Sequence, residues 1–200
     1  MLFRSQKWVA NFVYEFPWAK QVRGLQGALL RDWQLAGIVT VSAGSPFYPI
    51  IGFDRANLKP TNNGTRPNLV SGMSGNPISG VSAGCSGTAV GEKLGTPDRY
   101  FDPCSFQLQP VGFLGNLGRD TIVGPGLSNF DFVLSKNFAV TERMKVQFRS
   151  EFFNSFNHAN FSNPSQIVVF DASGPVKSAG RITQTGTTSR QVQFGMKITF

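Results

Sequence analysis

Five stretches of the chain alternate apolar and polar residues with the period of two that a β-strand imposes on its side chains. In QKWVANFVYEF, Trp8, Ala10, Phe12, Tyr14 and Phe16 fall on one face, and Lys7, Val9, Asn11, Val13 and Glu15 on the other. RDWQLAGIVTVSAG sets Trp33, Leu35, Gly37, Val39 and Val41 against Gln34, Ala36, Ile38, Thr40 and Ser42. SNFDFVLSKNF sets Phe130, Phe132 and Leu134 against Asn129, Asp131, Val133 and Ser135, and ERMKVQFRSEFFNSF sets Met144, Val146, Phe148 and Phe152 against Lys145, Gln147, Arg149 and Glu151. The last stretch, SRQVQFGMKITF, runs Val192, Phe194, Met196, Ile198 and Phe200 against Gln191, Gln193, Gly195, Lys197 and Thr199. No window repeats apolar residues at helical spacing, so the pattern predicts an all-β chain with long irregular loops.

These strands are longer than the five or six residues usual in soluble proteins, and they match the about 9–11 residues with which a tilted strand crosses a bilayer. The connections alternate in length. Short links around PWAKQVRGLQGALL and AVTE separate long ones at about 45–127 and 157–189. Outer-membrane barrels alternate tight periplasmic turns with long extracellular loops, and placing Phe200 at the periplasmic end puts every connection on the side its length requires. Lys145, Arg149, Glu151, Gln191, Gln193 and Lys197 would then face a wet lumen, where charge is tolerated, with the alternate residues facing lipid. The expectation is an antiparallel transmembrane β-barrel segment of about five long strands. The competing reading is a secreted or surface β-sandwich that acts as an adhesion or binding module, with its C-terminal strand as a buried edge.

Composition adjusts this picture modestly. The 22 Gly, 12 Pro and 19 Phe suit strands joined by irregular loops. A net charge of +8 would fit a nucleic-acid partner if it were gathered, but the basic residues stand as singletons at Arg4, Lys7, Lys20, Arg23, Arg31, Arg55 and Lys59. No nucleic-acid partner is therefore expected; a basic surface suits an anionic membrane or glycolipid as well. Cys85 and Cys104 sit among Gly, Ser and Pro, so a loop disulfide is the favoured reading and two free thiols the alternative. No signal peptide is visible in MLFRSQKWVANFVYEF, and no apolar run is long enough for a membrane helix.

Read in sequence order, LGNLGRDTIVGPGLSNFDFVLSKNFAVTERMKVQFRSEFFNSFNHANFSNPS resembles the C-terminal barrel region of TonB-dependent outer-membrane receptors. It resembles in particular the Oar-like group, whose members often carry a carboxypeptidase-regulatory-like domain at the N-terminus. The residues that carry the resemblance are Gly115, Asn116, Gly118, Arg119, Asp120, Gly124, Pro125 and Gly126, then Asn129, Asp131, Lys136 and Phe138. Glu151, Phe153, Asn154, Phe156, Asn157, His158, Asn160 and Phe161 continue it, and RDWQLAGIVTVSAGSPF is similar to a further family strand, with Arg31 and Asp32 where smaller residues are usual. The resemblance implies a cell-outer-membrane location in a Gram-negative-type bacterium and a parent barrel of about 22 strands, which five strands cannot close. It also implies uptake of a nutrient or oligomeric substrate, energised by TonB through an N-terminal plug that is not seen here, in a chain that reads as a C-terminal fragment or truncated frame. Outer-membrane lipid and the barrel-assembly machinery are the other implied partners, the latter through Val192, Phe194, Met196, Ile198 and Phe200.

Against that frame the chemistry-bearing residues read as structural. His158 is the only histidine and has no nucleophile motif beside it, so catalysis is not expected, and no cofactor or metal set is visible. Asp98 and Asp102 form turns more readily than a calcium site, and Gly124-Pro125-Gly126 reads as a rigid turn rather than a phosphate cradle. The acceptor patterns at Asn63 and Asn160 are incidental in a bacterial protein. Substrate contact is expected in the 45–127 segment at Phe47, Tyr48, Phe53, Tyr100 and Phe101, with a disordered cap as the alternative.

Overall fold

The computed structural model describes residues 6–18, 20–58 and 65–200; Arg4, Lys59 and Asn63, named above, lie outside them. All five alternating stretches form strands: β1 (Lys7–Glu15), β2 (Trp33–Ser42), β3 (Leu127–Ala139), β4 (Lys145–Phe153) and β5 (Gln191–Thr199). They pair antiparallel in chain order into one five-stranded sheet. Met144, counted with β4 by its apolar parity, falls in the turn, where its N–H donates to Thr141 Oγ1 at 3.0 Å.

Register keeps each cross-strand row on one face. Phe12, Gly37, Phe132, Phe152 and Val192 lie side by side across the five strands, and the adjacent row is Val13, Ala36, Val133, Glu151 and Gln193. A slip of one residue anywhere would turn a strand inside out, so the alternation excludes every odd slip of register. Gly37 lets the Phe12 ring lie flat across the sheet, because a Cβ there would meet that ring at 2.6 Å. Phe132 and Phe152 stack at 4.4 Å between ring centres along the same row. The sheet is open: among the described residues β1 and β5 are its two edges and no barrel closes.

The short links behave as turns with one addition. Between β1 and β2 lies a seven-residue α-helix, α1 (Gly24–Leu30), where the sequence predicts only a turn. It is too short for helical periodicity to register, and its hold comes from outside propensity. The Arg31 N–H and Nε–H both donate to the Gly27 carbonyl, at 3.0 and 3.1 Å, and Trp33 Nε1 donates to the Leu29 carbonyl at 2.9 Å.

The two long connections are not separate irregular loops. Residues 43–126 and 161–186 gather into one compact unit, distinct from the unit that holds the sheet. Ile50–Ile51 from the first segment pairs parallel with Val168–Asp171 from the second. Pro46–Phe47 pairs with Ile122–Val123, and Asn68–Leu69 with Phe106–Gln107. Phe47, Phe101, Phe106, Leu117 and Ile122 from one segment share a core with Val169, Ala179 and Ile182 from the other. Arg99, buried to 6 % exposure, pairs with Glu92 at 3.0 Å and donates to the carbonyls of Lys177 and Ala179, which ties the segments together a second time.

Candidate functional site

The sheet's two faces are the chemical feature that the fold puts on display. Four side chains of β5 on the apolar face, Val192, Phe194, Met196 and Ile198, are 47 to 70 % exposed, and Phe200 just beyond them is 97 % exposed. Trp8, Phe12 and Tyr14 on β1 are exposed as well. A soluble sandwich would cover such a face with a second sheet. Here it is bare, and a contiguous apolar surface of this kind calls for lipid or protein.

One cation interrupts the apolar face. Lys136 occupies an apolar-parity position of β3, yet it is 1 % exposed. Its stem lies along the face, its ammonium sits 5.9 Å from the Trp33 ring centre and 4.7 Å from that of Phe138, and it donates to the Arg31 carbonyl. The charge is thereby satisfied, out of water, by a carbonyl and two ring faces at the short-turn end of the sheet. Its signal in the sequence is a break in parity within SNFDFVLSKNF.

The opposite face carries three groups of polar contacts that cross the strands. Gln34 donates to Glu15 at 3.5 Å and Ser135 donates to Gln34 at 3.4 Å. Gln147 donates to Asn137 at 3.0 Å. Arg149 pairs with Glu151 at 2.7 Å, and Gln193 donates to the other oxygen of the same carboxylate at 2.8 Å. At the short-turn end this face is concave, with a cleft of about 550 Å³ whose walls include Lys20, Lys145 and Lys197 as well as Glu15 and Asp32.

The motif FNSFNHANF closes the other end of the sheet. Asn154 and Asn157 take the left-handed backbone conformation, with φ of 46° and 53°, which asparagine tolerates better than other side-chain-bearing residues. The Asn154 N–H donates to Asp131 Oδ1 at 2.7 Å, and its amide donates to the carbonyls of His158 and Thr188, both at 3.0 Å. Asn160, 2 % exposed, accepts from the Ser128 N–H at 2.8 Å and donates to Thr187 at 3.1 Å. His158 sits within this clamp: its N–H donates to Asn154 Oδ1 at 2.9 Å and its ring Nδ1 lies 3.1 Å from Asn160 Oδ1. The end of β4 is thus fastened to the starts of β3 and β5, and Asn160 is engaged in packing rather than offered to solvent.

The residues expected to touch substrate divide. Phe47, Tyr100 and Phe101 are 8 %, 8 % and 0 % exposed and belong to the core of the second unit, which corrects the expectation that they form a contact surface. Aromatic residues in a Gly- and Ser-rich segment read as a surface until a distant segment is known to cover them. Tyr48 and Phe53 are half-buried. Tyr100 donates to the Val123 carbonyl at 2.9 Å, and burial pushes its phenol up to about 12. Nor is this segment a disordered cap, since its described residues are folded around that core.

Cys85 and Cys104 are joined by a disulfide, across a separation of 19 residues. Asp102 accepts from Ser82 Oγ at 2.9 Å and from the Cys104 N–H at 3.1 Å, so its carboxylate caps the short helical turn that carries the second cysteine. Asp98 lies in the neighbouring bend, and no group of three or more His, Cys, Asp or Glu able to hold a metal occurs among the described residues. Gly124 serves close approach rather than an unusual φ: a Cβ there would lie 1.9 Å from Asn163 Oδ1 and 2.7 Å from the Ser45 carbonyl.

The family model for an outer membrane beta barrel domain matches residues 3–193. No curated protein and no solved structure matches the chain.

Proposed function

Because the chain belongs to the outer membrane beta barrel domain family and forms part of an outer-membrane protein of a Gram-negative-type bacterium, we propose that it is the C-terminal wall of a TonB-dependent receptor of the Oar-like group. In this reading the complete barrel takes up a nutrient or an oligomeric substrate, driven by TonB through a plug supplied elsewhere in the parent protein. Lipid meets the apolar face, and the barrel-assembly machinery engages Val192, Phe194, Met196, Ile198 and Phe200 of the C-terminal stretch.

The observation that supports the reading most is the series of cross-strand polar contacts on one face, from β1 to β5, set back to back with an uncovered apolar face. A wall needs water on one side and lipid on the other, and transport needs the wet side. The folded unit formed by 43–126 and 161–186 supplies the receptor surface in this account.

Uptake tests it directly. Cells that carry the parent gene are given a panel of radiolabelled peptides and oligosaccharides, with and without a protonophore and with and without TonB. Accumulation of a panel member that requires the gene, the proton-motive force and TonB is the expected result. Gene-dependent uptake that ignores both energy sources would remove TonB from the account and leave a passive pore.

A further inference from the structure

Two lysines at the short-turn end of the polar face stand without counter-charge. Lys197 on β5 pairs across the sheet with Gln147, and Lys145 lies two residues before Gln147 on β4, so the two side chains start from diagonal positions on one face. Such positions place Cβ atoms about 7–8 Å apart, within reach of two long side chains. Both are exposed, and neither has a carboxylate within 4.0 Å among the described residues. Like charges on neighbouring strands repel, and no ion pair within 4.0 Å offsets them among the described residues.

The carboxylates of the same face are engaged elsewhere. Glu151 is held by Arg149 and Gln193, Asp131 by Asn129 and the Asn154 N–H, and Glu15 accepts from Gln34. Glu15 and Asp32 do reach the cleft, but from the β1–β2 side. At about 4.8 Å per strand, Glu15 on β1 stands roughly 14–19 Å from the two lysines on β4 and β5. The outermost row, from Asp32 through Asn137 and Gln147 to Lys197, runs acid, amide, amide, cation. Gln147 and Thr199, beside the lysines, add an amide and a hydroxyl that can donate to the same guest.

We infer that Lys145 and Lys197, with Gln147 and Thr199, form a binding station for a carboxylate or phosphate group on a solute in the cleft. The substrate class would then be anionic. In naming the guest as a transported solute, this rests on the receptor reading; the anion site itself stands on the register and the uncompensated pair. Unpaired lysines lining a wet passage raise the local concentration of anions and orient their charged end.

The test is equilibrium binding to the parent protein in detergent micelles, with fluorescein-labelled hexaglutamate as probe, inorganic pyrophosphate as competitor, and hexalysine and maltohexaose as controls. The expected result is that hexaglutamate binds, pyrophosphate displaces it, and K145Q with K197Q weakens binding about tenfold and flattens its salt dependence. K145R with K197R should retain binding, which separates loss of charge from a folding defect, and K7Q at the opposite end of β1 should leave it unchanged. Equal binding of hexalysine, or hexaglutamate affinity indifferent to K145Q with K197Q while K145R with K197R is folded, would overturn the inference. Energised uptake of uncharged solutes with no response to these variants would sink the anion site and spare the receptor. Lysine-dependent hexaglutamate binding without TonB-driven uptake would do the reverse.

Discussion

Asn154 shows how much of this sheet depends on single polar residues. Its φ of 46°, its backbone N–H on Asp131 and its side-chain amide on the His158 and Thr188 carbonyls place one residue where three chain segments meet. Asn154→Ala removes both carbonyl partners and keeps an unfavourable backbone, so a loss of about 2–4 kcal/mol is expected in the urea midpoint of the parent barrel in micelles. Asn154→Gly relieves the backbone alone and should recover only the smaller part of that loss. Tyr100 makes a second prediction. Its folded pKa is raised to about 12 from an ordinary 10.0, so the neutral phenol contributes stability that is complete below pH 10 and lost as pH rises through 12. An alkaline unfolding series should show this loss in the parent protein and a smaller one in Tyr100→Phe. At this scale the sequence was half legible. A run of asparagines announces a turn, but the reach of Asn154 to Asp131 and Thr188 is a long-range fact that local pattern does not contain. The burial of Phe47, Tyr100 and Phe101 is hidden for the same reason.

Elements were more legible, because a strand with unlike faces writes its period directly into the chain. All five strands lie where alternation places them, and register follows from matching faces. What escaped was short or aperiodic. The helix Gly24–Leu30 has too few turns to leave a periodic trace, and Lys136 breaks the alternation for a tertiary reason, its contacts with Trp33, Phe138 and the Arg31 carbonyl. Neighbouring positions on β5 give the sharpest prediction at this scale. Phe194→Arg puts a charge on the apolar face and should cost about 2–4 kcal/mol in folding from urea into lipid vesicles, whereas Gln193→Arg on the polar face should cost under about 1 kcal/mol. Equal penalties would mean that the two faces do not meet different solvents.

On the scale of the whole molecule the chain is two units, one an open sheet and the other assembled from both long connections around a hydrophobic core. This second unit was invisible in the sequence, since Ile50–Ile51 and Val168–Asp171 lie more than a hundred residues apart and each reads alone as loop. Its disulfide closes a loop with a sequence separation of 19, for which loop entropy gives about 3 kcal/mol. Cys85→Ser with Cys104→Ser should therefore speed hydrogen exchange in 43–126 and 161–186 together and leave β5 protected as before. Faster exchange in the first segment alone would mean that the shared core does not hold the two as one. The central claim, that the sheet is a piece of membrane wall, is tested most directly by site-specific quenching along β5. A bimane label is placed singly at each position from Gln191 to Thr199 of the parent protein in vesicles, and quenched in turn by doxyl lipid and by aqueous iodide. The account predicts doxyl quenching at 192, 194, 196 and 198 and iodide quenching at 191, 193, 195 and 197. A profile without that alternation, or one with the two quenchers exchanged, would contradict it.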